Sequence, residues 1–129
     1  MSVNEQRILT LLELVGGLLL IAGYLLMAWA LAALGHNYQL GGSTPRTEDR
    51  MVVNGPYGWI RHPMYSAALS IALGLTCLIQ SWVLFGVFCI YLVLLTPLIP
   101  AEENKLRSAY PEQYSAYQQQ TRRLIPFIF

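Results

Sequence analysis

The chain has 129 residues, of which 55% are hydrophobic and 12% are charged, and its mean hydropathy is +0.45. This composition is too apolar for an ordinary soluble domain of this length and indicates that the lipid bilayer is the solvent. The net charge of +1 excludes a broad basic surface of the kind that binds nucleic acid.

The first predicted element is a transmembrane helix, which we place at residues 8–34. Residues 14–34 carry no charge, and at about 1.5 Å per residue they can cross a hydrocarbon core of about 30 Å. This apolar run is too long for a secretory signal, so we expect it to remain in the mature protein. Gly16, Gly23 and Ala30 recur every seven residues as one small-residue stripe, which predicts close approach of a second helix.

A polar connecting segment follows at residues 35–62. It contains several glycines, Pro45 and the mixed charged run 46–50. These residues are typical of a loop at a membrane face. The segment is longer than a simple helix connection needs, and long loops are usually either functional or disordered.

Two further spans are predicted at residues 63–79 and 82–100. No Asp, Glu, Lys or Arg occurs between Arg61 and Glu102, and the polar pair Gln80-Ser81 interrupts this apolar run near its middle. Two antiparallel helices joined by a tight turn fit this pattern.

The last predicted element is a helical tail at residues 101–129, which we expect to fold back on the membrane surface. Pro97 and Pro100 should bend or stop the preceding span as it leaves the lipid. A helix is expected after Pro111, and one of its faces would carry three tyrosines, Tyr110, Tyr114 and Tyr117. The predicted fold class is an all-α membrane protein in one domain, with about three transmembrane helices (an N-terminal span plus a helical hairpin) and a cytoplasmic amphipathic helical tail.

The distribution of positive charge predicts how the chain is oriented in the membrane. Arg7 lies on one side of the predicted spans, and the other side carries Arg46, Arg50, Arg61, Lys105, Arg107, Arg122 and Arg123. By the positive-inside rule, the loop and the tail are cytoplasmic and the N-terminus faces out. We expect a multi-pass protein of a bacterial or archaeal cell membrane.

The predicted hairpin returns the chain to the membrane face that it left, so its two ends should lie close together. Arg61, His62 and Tyr65 are at one end, and Glu102 and Glu103 are at the other. Such a cluster could hold a zwitterion, with the carboxylates binding an ammonium group and the Arg or His binding a carboxylate. The alternative is that Arg61 snorkels to water and that the two glutamates are merely the first solvated residues after a helix.

Several short motifs occur in a characteristic order from residue 50 onward. They are Gly55-Pro56-Tyr57, Arg61-His62-Pro63-Met64-Tyr65, Glu102-Glu103-Asn104-Lys105-Leu106, Tyr114-Ser115-Ala116-Tyr117 and the closing Ile125-Pro126-Phe127-Ile128. In this order the motifs resemble the isoprenylcysteine carboxyl methyltransferase family, whose relatives include phospholipid N-methyltransferases. Each motif alone is a weak signal, whereas the ordered combination is specific.

The resemblance implies a binding site for S-adenosylmethionine, with S-adenosylhomocysteine as the product, and no metal. The residues that match the family's cofactor pocket are Met51, Val52, Tyr57, His62, Pro63, Met64, Tyr65 and Glu102. Glu102 matches the carboxylate that holds the cofactor. The chemistry agrees, because an amino group suits a carboxylate and a sulfonium cation suits a tyrosine ring.

Two departures from the family limit what the resemblance implies. Members that act on prenylcysteine commonly carry an arginine four residues before the first glutamate of the pair, and Leu98 stands there in this chain. Carboxyl methylation is therefore in doubt unless another arginine substitutes. Only one helix precedes the motifs, where family members often have more, so a second copy of the chain in a homodimer could complete the wall of the site.

Methyl transfer from a sulfonium is an in-line displacement, so catalysis can consist largely of positioning and exclusion of water. We therefore assign no catalytic residue and name Arg61 and Glu103 as candidates, the latter as a base for an amine acceptor. The expected acceptor is a lipophilic or small amphipathic molecule, reached through the membrane lipids, whose nucleophile is a carboxylate, an amine or a thiol. Two other readings stay open: a non-catalytic membrane binding or packing protein, and an NADPH-dependent enzyme like the sterol reductases.

Overall fold

The computed structural model describes residues 1–35 and 51–125, and these are mostly helical. The helices are α1 (Val3–Leu34), α2 (Pro63–Ile79), α3 (Trp82–Ala109) and α4 (Pro111–Gln120), and a short 3-10 turn at Gly55–Gly58 precedes α2. Most of the predicted connecting segment (residues 36–50, with Arg46 and Arg50) and the closing residues 126–129 lie outside the described residues.

The helices have the lengths and composition of a membrane protein. In the described ranges, α1 and α3 are long and apolar enough to cross a bilayer, and α2 is a shorter apolar helix of 17 residues. Large apolar side chains point outward along α1 and α3, among them Leu14, Leu18, Leu25, Val87, Ile90 and Val93. Lipid is the solvent that such a surface requires. The predicted all-α membrane fold, with an N-terminal span and a helical hairpin, is confirmed.

Helix α1 begins at a capping box. The Ser2 hydroxyl accepts a hydrogen bond from the Glu5 backbone N–H (3.1 Å), and the Glu5 carboxylate accepts one from the Ser2 N–H (2.7 Å). These two bonds satisfy backbone donors that the first helical turn leaves without intrahelical partners. The start of the helix at Val3 is thereby specified by local sequence.

Helices α1 and α2 pack through small residues. The buried positions of α1 are Gly16, Gly23 and Ala30, the stripe that was predicted from sequence. A Cβ atom on Gly16 would lie only 2.7 Å from the Gly74 carbonyl oxygen, and one on Gly23 would lie 2.9 Å from the Ala67 carbonyl oxygen. The two backbones are therefore nearly in contact, a closeness that only glycine allows at these points.

The turn between α2 and α3 uses the polar pair that marked it in the sequence. Gln80 adopts a left-handed conformation (φ 56°, ψ 44°), and its N–H donates to the Thr76 carbonyl at 2.8 Å. Ser81 then caps α3 by accepting from the Leu84 N–H at 3.4 Å. A left-handed residue followed by a serine N-cap ends one helix and starts the next within two residues.

Helix α3 differs from the sequence-based expectation. It runs through Pro97 and Pro100 and ends only at Ala109, so of the predicted bend or stop at these prolines the stop is wrong. Each proline removes one backbone donor but keeps a helical φ, and the residues after it can continue the hydrogen-bond ladder. The continuous helix carries Glu102 and Glu103 on the same rigid element as the membrane span.

From the last turn of α4 onward, the chain returns to the start of α2. We call residues 118–124 the C-terminal segment and residues 59–63 the RHP segment. The two segments form a short parallel bridge between Ile60 and Arg122. The Arg61 N–H donates to the Arg122 carbonyl (2.6 Å), and the His62 N–H donates to the Arg123 carbonyl (3.0 Å). The tail is thus fastened to the start of the hairpin by backbone hydrogen bonds.

Candidate functional site

The two ends of the hairpin meet, as the sequence predicted. The Tyr65 hydroxyl donates to Glu102, and the Arg61 guanidinium donates to Glu103 with an Nε–Oε1 distance of 2.8 Å. His62 Nε2 lies 3.2 Å from the same Glu103 oxygen. Residues about 40 positions apart therefore form one polar cluster at the end of the α2–α3 hairpin.

Glu103 is the shared acceptor of this cluster and is 2% exposed. Its Oε1 atom faces Arg61 and His62, and its Oε2 atom lies 3.2 Å from the Arg123 guanidinium. Burial by itself raises the pKa of the Glu103 carboxyl, but the hydrogen bonds from His62 and Arg61 outweigh it and hold that pKa at about 2. The carboxylate stays ionised and is fully engaged in holding three side chains.

Arg61 is held on several sides. Besides Glu103, its guanidinium donates to the carbonyl oxygens of Gln118 (3.2 Å) and Thr121 (2.9 Å), both in the C-terminal segment. Its side chain is 11% exposed, so the reading in which Arg61 snorkels to water is wrong. Arg61 instead joins the RHP segment, α3 and the tail.

Glu102 is more accessible than its neighbour, with a side chain that is 18% exposed. One of its oxygens accepts the hydrogen bond from Tyr65, and the other lies 3.9 Å from His62 Nδ1. The rings of His62 and Tyr65 are 5.7 Å apart between centroids. Glu102, His62 and Tyr65 therefore bring a carboxylate, an imidazole and a phenol ring close together.

The tail and α1 both hold the 3-10 turn that contains the Gly55-Pro56-Tyr57 motif. The Tyr117 hydroxyl donates to the Tyr57 carbonyl at 2.5 Å. Burial raises the pKa of Tyr117 above its usual value, which keeps this donor protonated. On the other side, a Cβ on Gly55 would lie 3.2 Å from the Trp29 indole nitrogen and 3.0 Å from Ala33. The N-terminal helix thus touches the motif region.

The remaining residues of the predicted site lie at the start of α2, in the 3-10 turn and in the irregular stretch just before that turn. Pro63 is buried at the first position of α2, and Met64 is half-buried beside it. Met51, Val52 and Tyr57 are also half-buried. The contacts that the structure records directly join His62, Tyr65 and Glu102, and the cofactor roles of all the predicted residues stay predictions.

Sequence reasoning missed the part that the tail takes in this site. Tyr114 and Tyr117 are buried on one face of α4, as their spacing predicted, but the partners of Tyr117 and of Arg123 were not foreseen. The spacing of Tyr114 and Tyr117 could have suggested that α4 packs against the motifs. For Arg123, a charged residue near the end of the chain, the sequence held no such signal.

Comparison with known proteins places these features in a family. A family model described as phospholipid methyltransferase matches residues 12–113. The chain is 33% identical over 82 residues to the cobalt-zinc-cadmium resistance protein CzcN of Cupriavidus metallidurans, an alignment that covers 63% of this chain and 38% of that protein. The solved structure of the eukaryotic intramembrane Ras methyltransferase ICMT (isoprenylcysteine carboxyl methyltransferase) matches with a TM-score of 0.81 at 27% identity.

The structural match covers 91% of this chain and 43% of the ICMT chain, so this chain spans about two fifths of the length of each of these relatives. The family model spans most of α1, all of α2 and α3, and the polar cluster at the end of the hairpin. The resemblance read from the ordered motifs is thereby confirmed, and the chain belongs to the phospholipid methyltransferase family.

Proposed function

We propose that this protein is a membrane-embedded methyltransferase that transfers a methyl group from S-adenosylmethionine to a lipophilic or small amphipathic acceptor. Family membership and the similarity to a solved intramembrane methyltransferase support this proposal. The observation that carries it is the grouping of His62, Tyr65 and Glu102 at one end of the α2–α3 hairpin.

The residues present fit S-adenosylmethionine. The Glu102 carboxylate, with one oxygen bonded to Tyr65 and the other 3.9 Å from His62, can accept hydrogen bonds from the cofactor's ammonium group. The adjacent tyrosine ring offers a suitable surface for a sulfonium cation. When bound, the cofactor supplies an electrophilic methyl group. The protein residues would bind and orient the cofactor, so that catalysis would consist largely of positioning.

The contacts of the arginines bear on the acceptor's nucleophile. Leu98, one turn of α3 before Glu102, offers no charge to a carboxylate. Arg61 and Arg123 both pair with Glu103, and Arg107 donates to Gln118. Glu103 thus neutralises Arg61 and Arg123, whereas Arg122 is exposed beside them, so a carboxylate, an amine and a thiol all stay candidates for the nucleophile.

Neither catalytic candidate is placed to act as a proton acceptor. Glu103 has a pKa of about 2 and is buried among three donors, so it is a weak base. Arg61 donates to Glu103 and to two backbone carbonyls. We therefore assign both residues to the architecture of the site, so that an amine acceptor would have to arrive unprotonated or lose its proton to water.

The orientation of the protein remains part of the proposal. Among the described residues, Arg61, Arg107 and Arg123 gather at the end of the molecule that carries the polar cluster. By the positive-inside rule this end is cytoplasmic, which would give a water-soluble cofactor direct access while the acceptor enters from lipid. A homodimer that completes the wall of the site also stays a prediction, which native mass measurement in detergent can test.

Calorimetric titration of the detergent-purified protein tests the cofactor. S-adenosylmethionine and S-adenosylhomocysteine should bind, and NADPH should not. Glu102→Gln should weaken binding of S-adenosylmethionine by about tenfold to a hundredfold, because a hydrogen bond to a charged group contributes about 1.5–3 kcal/mol. Glu112→Gln removes an equal charge from the exposed first turn of α4 and should leave binding unchanged.

Each alternative function predicts a different titration. Binding of NADPH in place of the two sulfur compounds would favour a reductase. Failure of a folded protein to bind any of the three would favour the non-catalytic membrane protein. Equal losses in Glu102→Gln and Glu112→Gln would refute the assignment of Glu102 while leaving the cofactor in place.

A further inference from the structure

The geometry points to Glu103 as a positioning residue that fixes the tautomer of His62 and thereby turns the Nδ1 side of the ring into an acceptor for the bound cofactor. This inference rests on the proposed function, because it names what His62 presents to S-adenosylmethionine. It goes beyond that function in assigning a task to the buried second glutamate and to the C-terminal segment that holds it.

The first step concerns the side of the ring that faces Glu103. His62 is 6% exposed, and its Nε2 atom lies 3.2 Å from Glu103 Oε1. An ionised carboxylate can only accept hydrogen bonds, so the proton of this contact must be on Nε2. Two cations, Arg61 and Arg123, lie at 2.8 Å and 3.2 Å from the same carboxylate and keep it ionised.

The second step concerns the other side of the ring. In the neutral ring with its proton on Nε2, the Nδ1 atom carries a lone pair. Among the described residues, the polar contact of Nδ1 is to Glu102 Oε2 at 3.9 Å, too far for a hydrogen bond. The other Glu102 oxygen, Oε1, accepts the hydrogen bond from the Tyr65 hydroxyl. Two acceptors therefore face each other across a gap, an arrangement that is favourable only when a donor lies between them.

A cationic donor is the group that satisfies both acceptors. An ammonium group has three hydrogens, and it can donate to the imidazole lone pair and to the carboxylate at the same time. An imidazole with its proton on Nδ1 would instead point a donor at the cofactor's ammonium group and repel it. The tautomer of His62 thus decides whether the pair formed with Glu102 attracts or opposes the cofactor.

The C-terminal segment fixes the position of Arg61 and His62, the two residues that contact Glu103 Oε1. Arg61 is bonded to the carbonyls of Gln118 and Thr121, and the His62 N–H is bonded to the Arg123 carbonyl at 3.0 Å. The Ser66 hydroxyl donates to the Leu124 carbonyl at 2.7 Å, one helical turn into α2. The backbone of His62 is thus fixed by its hydrogen bond to Arg123, and its ring is fixed by the contact with the Glu103 carboxylate.

Nitrogen NMR of the ring reads the tautomer directly. The chain has two histidines, so ¹⁵N-histidine labelling in a His36→Gln background leaves the signal of His62 alone. The ligand-free protein should show a protonated Nε2 and an unprotonated Nδ1. In Glu103→Gln, whose amide can donate as well as accept, the ring should populate the other tautomer. The affinity for S-adenosylmethionine should fall about tenfold or more, as metal affinity does when a group that orients a metal-binding histidine is lost.

Two control variants separate positioning from stability. Arg123→Gln removes the ion pair at Oε2 and leaves the Oε1 contact with His62, so the tautomer should be retained and the affinity should change less than in Glu103→Gln. Gly16→Ala loosens the α1–α2 contact far from the ring. If Gly16→Ala, compared at a temperature at which both variants remain folded, loses as much cofactor affinity as Glu103→Gln, the role of Glu103 is merely structural.

The outcomes distinguish this inference from the proposed function. A ligand-free wild-type ring protonated on Nδ1, or on both nitrogens, overturns the inference even if S-adenosylmethionine binds. A Glu103→Gln variant that keeps the wild-type tautomer and affinity also overturns it. Wild-type protein that binds no S-adenosylmethionine refutes the proposed function, and the ring spectrum of the ligand-free protein then still decides whether Glu103 sets the tautomer.

Discussion

Two adjacent glycines of α1 have opposite surroundings, which makes the α1–α2 contact testable by the smallest possible substitution. A Cβ on Gly16 would lie 2.7 Å from the Gly74 carbonyl oxygen and 2.9 Å from the Leu78 nitrogen, whereas one on Gly17 would meet nothing within 4 Å. Ordinary contact begins at 3.4 Å, so Gly16→Ala creates an overlap of about 0.7 Å with backbone atoms that cannot rotate away.

The difference between the two variants isolates this overlap. Both Gly16→Ala and Gly17→Ala gain about 1 kcal/mol of helix propensity, so this gain cancels when they are compared. Inserting a methyl group into a closely packed contact costs about 1–3 kcal/mol. We therefore expect the free energy of unfolding of Gly16→Ala to be lower than that of Gly17→Ala by about 1–3 kcal/mol.

Unfolding followed by circular dichroism, as sodium dodecyl sulfate is added to the protein in mild detergent micelles, measures this difference. Gly74→Ala should lose a similar amount, because its Cβ would lie 2.7 Å from the Gly16 carbonyl oxygen. Gly86→Ala, with nothing within 4 Å of its Cβ, serves as a second control in α3. Equal stability of Gly16→Ala and Gly17→Ala would refute the packing of α1 on α2 through this stripe.

Two further substitutions test the turn and the tail. Gln80→Gly should raise the free energy of unfolding by about 1 kcal/mol, because glycine avoids the energy that a left-handed conformation costs an L-residue. Gln80→Ala keeps that cost, so a Gln80→Gly variant that is less stable than Gln80→Ala would contradict this prediction. Tyr117→Phe removes the donor to the Tyr57 carbonyl and should cost about 1 kcal/mol of stability, while weakening S-adenosylmethionine binding less than Glu102→Gln. Calorimetry giving equal losses of affinity would mean that the Tyr117 hydroxyl takes a direct part in binding.

The burial of Glu102 and His62 decides how clearly a substitution of either residue tests the proposed cofactor site. Glu102 retains some exposure, but His62 is buried and bonded to Glu103. Removing the His62 ring therefore affects both packing and binding, which is why the isosteric Glu102→Gln is the cleaner test of the cofactor.

The sequence by itself determined the features that depend on local pattern. Uncharged apolar runs long enough for a bilayer specified the spans, and the polar pair Gln80-Ser81 specified the turn of the hairpin. The seven-residue spacing of Gly16, Gly23 and Ala30 identified the contact face of α1. These predictions succeeded because the solvent and the helical period act on each segment separately.

The tertiary structure alone decided how the polar groups are paired. Arg61 bonds to Thr121, 60 residues away, and Glu103 gathers Arg61, His62 and Arg123 from two distant segments. No periodicity relates such positions, because each pairing depends on where the whole tail returns after α4. The two prolines in α3 also did not show where the helix ends. Each proline removes one backbone hydrogen bond, and the remaining contacts still hold the helix through Pro97 and Pro100.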